Sequence, residues 1–273
     1  MFRPNRVDPK EAWLKVVLEK TPRAFASSVV LPDGRLWILG GLGADSILKS
    51  TEIITPPSFH TMGRWKLTKG PDLPVPLFGH CVERLSNGKI MLSGGFDGKD
   101  QVDVSKEFEW EGDLNSGKWT SKPWSSMKTQ RYDHSCFSSE KVMYVAGGWS
   151  ANFNGKLKTE RFNITSRRWI EVGSDPLSAD VDAELPDILR SASVGVSQNN
   201  IALIGGLSCE VHDITSGNKT CTKHNEVYEL GFNLERTSTK WRKTDHLIRL
   251  PRSSHLSIVV PRSIHLSCQD TSP

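Results

Sequence analysis

The sequence predicts an all-β protein in which one four-stranded antiparallel sheet is repeated, and two observations lead to this prediction. A pair of glycines follows a short apolar stretch four times, and the second glycines of the pairs are Gly41, Gly95, Gly148 and Gly206. They are 54, 53 and 58 residues apart, and a period of this size is typical of repeat architectures. Between the glycine pairs the sequence shows no helical periodicity, and short strand-like stretches alternate with turn residues.

Each unit begins with two strands that a tight turn joins. The first strands are expected within residues 23–31, 78–85, 131–139 and 190–197. The turns that follow are "PDG" (32–34), "SNG" (86–88), "SSEK" (138–141) and "QNN" (198–200). Asp-Gly and Asn-Gly between two strand-like runs predict a β-hairpin. The second strand of each hairpin then ends at the glycine pair.

Two further strands complete each unit. The third contains a glutamate followed by alternating apolar residues, as in "KSTEIIT" (49–55) and "LKTERFNI" (157–164). The fourth contains a tryptophan, and these residues are Trp65, Trp119, Trp169 and Trp241. Four-stranded sheets arranged radially form a β-propeller, in which each blade covers the apolar face of the next. Backbone crowding near the central channel then explains the glycine pairs, and the tryptophans are expected to cover the faces between blades.

These features together resemble the kelch-repeat family of β-propellers, which includes galactose oxidase-type propellers. The matching features are the double glycine, the glutamate of the third strand, the tryptophan that follows, and an Arg-x-x-His start at "RYDH" (131–134) and "RSSH" (252–255). The resemblance covers roughly residues 10–260, and it implies four full units of four-stranded antiparallel blades. Unit two lacks the arginine, and unit four carries an insertion after Gly206.

The two ends of the chain predict a partial fifth blade. Trp13 is typical of the last strand of a unit, and residues 252–260 are typical of a first strand. We therefore assign the propeller to residues 10–260, with an N-terminal extension at 1–9 and a C-terminal tail, expected to be disordered, at 261–273. Two alternatives stay open: a truncated or alternatively spliced propeller, and a five-bladed ring that the termini close with a thin blade.

Composition argues against some classes of function. The 273 residues carry a formal net charge of +4 without a basic block, so nucleic acid is not an expected partner. No run of about 18 apolar residues occurs, so no membrane span is expected. The N-terminal stretch lacks the apolar core of a secretory signal. This lack counts against secretion of the chain as written, and the localisation stays open.

No cofactor, metal or catalytic site is expected. The resemblance to galactose oxidase would imply a copper site of two tyrosines, two histidines and a cysteine, whereas this chain has only Tyr132, Tyr144 and Tyr228 and no suitable histidine spacing. His80, His134 and His255 recur once per unit, and we expect them to form hydrogen bonds at the start of an inner strand. The sequence contains neither a nucleophile elbow nor a phosphate-binding loop. We therefore expect that the chain is not an enzyme.

Binding is the function that this inventory favours. In kelch propellers the loops that enter the first strand and leave the second line one face, and partners often dock there through arginines. Carried over by position, the candidate partner-binding residues are Arg23, Arg131, Tyr132, Arg190 and Arg252. Converging guanidinium groups favour an acidic protein or peptide, because they match carboxylates bidentately. The alternative is that these arginines hold the loops between blades together.

We therefore predict a non-catalytic protein-binding module. One alternative is the substrate-recognition part of a ubiquitin-ligase adaptor, although the helical dimerisation and cullin-binding domains of such adaptors are absent from this chain. The other alternative is a propeller-type enzyme, which the residue inventory disfavours.

Cysteines and sequons bear on the compartment. Cys209 and Cys221 bracket a polar loop in the insertion of unit four, and we expect them to form a disulfide-bonded hairpin. Asn163 and Asn218 each begin an Asn-x-Thr sequon for N-glycosylation. These features favour an oxidising compartment. Two further cysteines lie in first strands and are expected to be buried small apolar residues: Cys81 and Cys136.

Overall fold

Four antiparallel sheets of four strands make up the protein. The structure is a computed structural model, and it describes residues 21–57, 65–99, 105–109, 114–120, 126–139, 141–150, 157–172, 192–197, 200–213, 218–233 and 236–251. In each sheet, here called a blade, the strands pair in simple chain order. Within these residues the only helical element is a short 3₁₀ turn at Leu114–Ser116, as the all-β prediction requires.

The strands of the first two blades lie where the repeat predicts them. Blade 1 consists of β1 (Ser27–Val30), β2 (Leu36–Leu39), β3 (Thr51–Thr55) and β4 (Lys66–Gly70). Blade 2 consists of β5 (Cys81–Arg84), β6 (Ile90–Ser93), β7 (Ser105–Glu109) and β8 (Lys118–Trp119).

The strands of blade 4 are much longer than those of blade 3. Blade 3 consists of β9 (Ser135–Ser138), β10 (Val142–Ala146), β11 (Glu160–Asn163) and β12 (Arg168–Glu171). Blade 4 consists of β13 (Ala192–Ser197), β14 (Asn200–Asp213), β15 (Asn218–Asn233) and β16 (Arg236–Leu247). The extra length of β14 and β15 comes from the insertion in unit four, which pairs as a two-stranded ribbon beyond the sheet.

The blades follow one another through their first strands. Strand β5 contacts both β1 and β9, and β9 also contacts β13. This side-by-side order of the innermost strands is the arrangement of a β-propeller-like fold. The predicted strands at Trp13 and 252–260, the extension at 1–9 and the tail at 261–273 lie outside the described residues, and so does the predicted closing blade.

Apolar layers fill the spaces between neighbouring blades. Trp37 of blade 1 packs against Phe108 of blade 2, with ring centroids 4.9 Å apart. Met91 of blade 2 lies in one cluster with Phe162 and Trp169 of blade 3. The layer between blades 3 and 4 contains Val142, Tyr144, Leu230 and Trp241. The prediction that fourth-strand tryptophans cover these faces is therefore confirmed for Trp119, Trp169 and Trp241.

The glycine pairs occupy equivalent places in all four blades. The first glycines, Gly40, Gly94, Gly147 and Gly205, have φ values of +58°, +55°, +65° and +60°. The second glycines, Gly41, Gly95, Gly148 and Gly206, have φ values of +97°, +108°, +92° and +118°. L-amino acids other than glycine rarely adopt such angles, so the backbone conformation alone selects glycine.

Close approach to the next blade gives a second reason for the first glycine. A Cβ on Gly40 would lie 2.5 Å from the carbonyl oxygen of Leu77 and 2.9 Å from Cε1 of His80. A Cβ on Gly94 would lie 2.5 Å from the carbonyl oxygen of Arg131 and 2.6 Å from Cε1 of His134. The carbonyl and the histidine of one blade therefore pack directly on the first glycine of the blade before it.

The structure corrects the prediction for Cys81 and Cys136. They form a disulfide with a Cα–Cα distance of 6.1 Å, instead of remaining free thiols. The pairing is possible because β5 and β9 lie side by side, so the bond joins the innermost strands of blades 2 and 3. The predicted Cys209–Cys221 disulfide is confirmed: the residues are directly opposite in β14 and β15, with a Cα–Cα distance of 4.1 Å.

We predict that Gly94→Ala destabilises the protein far more than Gly88→Ala. Both glycines have positive φ, at +55° and +83°, but a Cβ on Gly88 would meet nothing within 4 Å. The control should therefore cost only the conformational penalty, about 1 kcal/mol. Gly94→Ala adds the clash with Arg131 and His134 and should cost about 3 kcal/mol or more. Urea unfolding measures both, and equal costs would contradict the close-approach explanation.

Candidate protein-binding face

One end of the blades carries a row of aromatic side chains. First strands begin there and second strands end there, and isolated bridges pair the two segments: Ala24 with Leu42, Phe78 with Phe96, and Tyr132 with Trp149. In the second and third pairs both residues are aromatic: Phe78 and Tyr132 come two residues before a histidine, and Phe96 and Trp149 come directly after a glycine pair. In blade 1 the aromatic residue is Phe25, directly after the bridged Ala24. We call Phe25, Phe78, Phe96, Tyr132 and Trp149 the aromatic arc.

The rings of the aromatic arc contact one another across three blades. Phe25 and Phe78 have ring centroids 6.4 Å apart, and Phe78 lies 5.8 Å from Tyr132. Phe96 also touches both neighbours, and Tyr132 lies 5.5 Å from Trp149 in an edge-on arrangement. Phe25 and Trp149, at the two ends of the row, are each 38% exposed. The arc is thus a rigid, partly exposed apolar surface.

Phe25 has a backbone conformation that bulky residues rarely adopt. Its φ is +53°, and the equivalent residues of blades 2 and 3, Gly79 and Asp133, have φ values of +61° and +55°. The N–H of Gly79 donates to the carbonyl of Phe25 at 3.1 Å, and the N–H of Asp133 donates to the carbonyl of Gly79 at 2.8 Å. The left-handed position therefore belongs to the repeat, but phenylalanine is strained in it.

The structure gives Arg131 a structural role within its own blade. Its side chain is buried, and its guanidinium donates to the carbonyls of Gly147 and Lys158 at 3.1 and 3.0 Å. The same group donates to the buried Glu160 carboxylate at 2.6 Å. Burial lowers the pKa of Arg131, and the charge of Glu160 opposes that shift. Direct partner contact by Arg131 does not fit this complete burial.

Arg23 makes the corresponding contacts in blade 1. It donates to the carbonyls of Gly40 and Ser50 at 2.8 and 2.9 Å, and it lies 3.6 Å from Glu52. Glu160 also accepts from the backbone N–H groups of Lys128 and Thr129 at 2.6 and 3.1 Å. The arginine–glutamate pair of blade 3 therefore holds the loop that leads from blade 2 into blade 3. This is the loop-holding alternative stated for the arginines.

Blade 2 has lost both members of this pair. Leu77 occupies the arginine position. Lys106 occupies the glutamate position, because its pairing with Leu92 is equivalent to the pairing of Glu52 and Glu160 in their own blades. Glu107 is one residue further along β7, so it faces the opposite side of the sheet. There it is buried beside Lys89 at 3.2 Å and Arg167 of blade 3 at 3.9 Å. A buried glutamate without the arginine would be costly, which explains why blade 2 has neither residue.

Of the five predicted partner-binding residues, only Tyr132 lies in the aromatic arc. Arg190 and Arg252 lie outside the described residues. Sequence reasoning missed Phe25, Phe78, Phe96 and Trp149. A recurring aromatic residue could have indicated three of them. Phe96 and Trp149 directly follow a glycine pair, and Phe78 follows the arginine position of its unit, as Tyr132 does.

Two histidines lie buried beneath the arc. His80 and His134 are almost fully buried, and burial lowers their pKa values to about 4 and about 3. The expected hydrogen bond is present for His134, whose Nε2 lies 3.3 Å from Oγ of Ser93. For His80 the expectation is wrong, because neither ring nitrogen has a hydrogen-bond partner among the described residues, and His255 lies outside them. Glu83, on β5, has its pKa raised to about 7 by burial, against the opposing hydrogen bond from Ser138.

The ribbon of blade 4 begins at Gly206, at the same end of the blades as the aromatic arc. It is fastened by the Cys209–Cys221 disulfide. Across its strands, Oγ of Ser208 lies 2.7 Å from Nε2 of His224, and Nδ1 of His224 lies 3.4 Å from a carboxylate oxygen of Glu226. These three half-buried side chains form one continuous polar series.

Comparisons with known proteins agree with the fold. No known protein family profile matches the chain. The spermatocyte protein spe-26 of Caenorhabditis elegans is 26% identical over 141 residues, which are 51% of this chain and 22% of that protein. The chain therefore spans about a fifth of that relative.

A solved structure titled "Structure of YjhT" matches with a TM-score of 0.66 and 14% identity, over 89% of this chain and 76% of that one. At this identity the likeness shows the β-propeller-like fold alone. Among the described residues, none of the elements is a helix able to cross a membrane, and His, Cys, Asp and Glu side chains form no cluster suited to a metal ion.

We predict that acid destabilises the protein and that Glu83→Gln steepens this effect. His80 and His134 have folded pKa values below their ordinary 6.5, so between about pH 6.5 and 4.5 the unfolded chain binds two more protons there. Glu83 has a folded pKa above its ordinary 4.5, so in this window the folded protein binds one more proton there. In total the unfolded chain binds one proton more than the folded protein. The free energy of unfolding should therefore fall by about 1.4 kcal/mol for each pH unit of acidification.

Glu83→Gln removes the proton that the folded protein binds more tightly. The loss of unfolding free energy should therefore double to about 2.7 kcal/mol per pH unit. His134→Asn removes one histidine and should flatten the dependence toward zero. Urea unfolding between about pH 6 and about pH 5 measures the slopes. An unchanged slope for Glu83→Gln would show that Glu83 ionises alike in the folded and unfolded states.

Proposed function

We propose that the chain is a kelch-type protein-binding module that uses the aromatic arc as its contact surface. The observation that carries this proposal is the row of packed rings whose two end members, Phe25 and Trp149, are 38% exposed. Rigid, clustered aromatic side chains are typical of binding hot spots, because they bury a large area at little conformational cost. The face is also the one that the kelch resemblance assigns to partners.

The strain at Phe25 supports the same proposal. The repeat accepts glycine at this position, as Gly79 shows, and glycine there would avoid the strain of a left-handed phenylalanine. Strained residues cluster at functional sites, where the rest of the structure enforces them. A phenylalanine kept at this place, with its ring partly exposed, is therefore consistent with a role in contact rather than in stability.

The aromatic arc also changes the expected chemistry of the partner. An acidic partner was predicted from converging arginines, but the charges of Arg131 and Arg23 are already matched by Glu160 and Glu52. The arc instead favours a protein partner that inserts apolar or aromatic side chains between the rings, with polar groups at the rim.

We predict that Phe25→Gly weakens partner binding without unfolding the protein. Glycine relieves the left-handed strain but adds flexibility to the unfolded chain, so the stability should stay within about 1 kcal/mol of the wild type. Loss of a hot-spot ring should weaken binding by about tenfold or more. Trp149→Ala should weaken binding similarly. The measurement is quantitative affinity purification from source cells, followed by titration of the enriched protein against each purified variant.

Ile170→Ala is the matched control. Ile170 is an exposed apolar residue on β12, an outer strand away from the arc, and its loss should leave binding unchanged. If Phe25→Gly and Trp149→Ala retain every partner that the wild type binds, the arc is not the contact surface.

A second candidate function, a propeller-type hydrolase, is favoured by the series Ser208, His224 and Glu226. A serine hydroxyl beside an imidazole that a carboxylate orients is the arrangement of an activated nucleophile. Here Glu226 is additionally held by Lys243 Nζ at 3.2 Å. Ser208 and His224 lie on the two strands of the ribbon, however. Under the binding proposal their contact has a structural role and holds these strands together.

We expect no reaction of Ser208 with a fluorophosphonate probe, because fastening the strands requires no nucleophile. The probe would be incubated with the folded wild-type chain and the modified peptide sought by mass spectrometry. Labelling of Ser208 that disappears in His224→Gln would instead establish the hydrolase, since the imidazole activates the hydroxyl only in that case.

A further inference from the structure

The turn between β11 and β12 presents an asparagine side chain in a defined geometry. Asn163 is the last residue of β11, and its Oδ1 accepts hydrogen bonds from the N–H groups of Thr165 and Ser166 at 3.0 and 2.8 Å. This is an Asx-type turn, in which the side chain replaces a backbone acceptor. Both hydrogen bonds use the oxygen, and Nδ2 donates none to the described residues.

The surroundings of this turn leave room for a bulky group. Thr165 and Ser166 are exposed, and the exposed Arg168 follows at the start of β12. The apolar residue of the turn, Ile164, is buried toward the core between blades 2 and 3. The polar side of the turn therefore faces solvent, and Asn163 and Thr165, the two residues that define an Asn-x-Thr sequon, are both at or near the surface.

The position of the turn keeps it away from the aromatic arc. Asn163 pairs with Val142, the first residue of β10, whereas Trp149 follows the other end of the same strand. The five residues of β10 alone span about 16 Å. A group attached to Asn163 would project from the hairpin-turn end of blade 3, opposite the end that carries the arc.

The disulfides supply an independent reason to expect modification. Two cysteine pairs of the described chain are bonded: one fastens the ribbon of blade 4, and the other joins blades 2 and 3. Such bonds form and persist in oxidising compartments. The secretory pathway is the oxidising compartment in which asparagine sequons are glycosylated.

We propose that Asn163 is N-glycosylated. Nδ2 forms a bond to the anomeric carbon of an oligosaccharide carried on a lipid diphosphate. The bond from that carbon to the diphosphate oxygen breaks, the lipid diphosphate leaves with the electron pair, and Nδ2 loses one proton. No oxidation or reduction occurs. Because Oδ1 keeps its two hydrogen bonds, the turn retains its structure with the glycan attached.

The test uses the protein isolated from the organism that makes it. Peptide N-glycosidase F removes an N-glycan and converts its asparagine to aspartate, so mass spectrometry of the peptide that contains residue 163 reports the modification. We expect the conversion at Asn163. An unmodified Asn163 in the isolated protein would overturn the proposal.

A pair of neighbouring variants excludes a nonspecific signal. Thr165→Ala destroys the sequon but keeps the backbone N–H that donates to Oδ1 of Asn163. The variant should therefore fold with wild-type stability and carry no glycan at Asn163. Ser166→Ala leaves the sequon intact and should keep the glycan. Both would be expressed as full chains behind a secretory leader in cultured animal cells. A glycan that persists in Thr165→Ala, or is absent from Ser166→Ala, contradicts the proposal.

The result is separable from the protein-binding proposal. Deglycosylated and glycosylated protein should bind the same partner with the same affinity, because the glycan and the arc lie at opposite ends of blade 3. Weaker partner binding by Phe25→Gly would not bear on the glycosylation proposal. An unmodified Asn163 would contradict glycosylation but would not bear on the proposal that the aromatic arc binds a partner.

Discussion

The structure depends on how closely the backbone of one blade approaches the next. The N–H groups of Gly41 and Gly95 donate to the carbonyls of Leu77 and Arg131 in the following blade, at 2.8 and 2.9 Å. The glycine before each of these has no room for a Cβ beside the same carbonyl. This contact sets the spacing of the blades, so it also sets which side chains meet in the apolar layers, and it brings the aromatic residues of successive blades within reach of each other.

The buried charges are arranged around this same contact. In blade 3 the carbonyl of Arg131 accepts from Gly95 of blade 2. The guanidinium of the same residue donates to Gly147 of its own blade and to Glu160, which is 29 residues later in the chain. Arg23 and Glu52 have that spacing too, and in blade 2 the same spacing joins Leu77 to Lys106. Where the arginine is absent the glutamate is absent too, because a buried glutamate without its arginine would cost several kcal/mol. The arginines thus stabilise the entry of each blade, which leaves the exposed surface above them to the aromatic residues.

The repeat, the four-stranded sheets, the glycine positions and the covering tryptophans could be predicted because each follows from a local pattern at a fixed period. The Cys81–Cys136 bond was not predicted, since it joins different repeats and depends on how neighbouring inner strands lie in space. The different face of Glu107 was also missed: β6 and β7 keep the register of the other blades, but Lys106 occupies the glutamate position and Glu107, one residue later, lies on the opposite face of the sheet. For the candidate site, the kelch resemblance indicated the end of the blades that carries the aromatic arc. Burial of Arg131 depends on Glu160 in another strand, and only the structure shows that pairing.

The disulfide between blades 2 and 3 makes the stability of the protein depend on whether its surroundings are oxidising or reducing. It closes a loop of 55 residues, and a chain-entropy estimate gives such a bond about 4 kcal/mol of stabilisation. That is a large share of the roughly 5–15 kcal/mol by which whole domains are stable. In a reducing cytosol, where ubiquitin-ligase adaptors act, this contribution would be lost, and the two blades would be held by non-covalent contacts alone: their apolar layer, the glycine contact and polar pairs such as Ser138 with Glu83. A protein whose inner strands are cross-linked in this way therefore retains this contribution to its stability only in an oxidising environment.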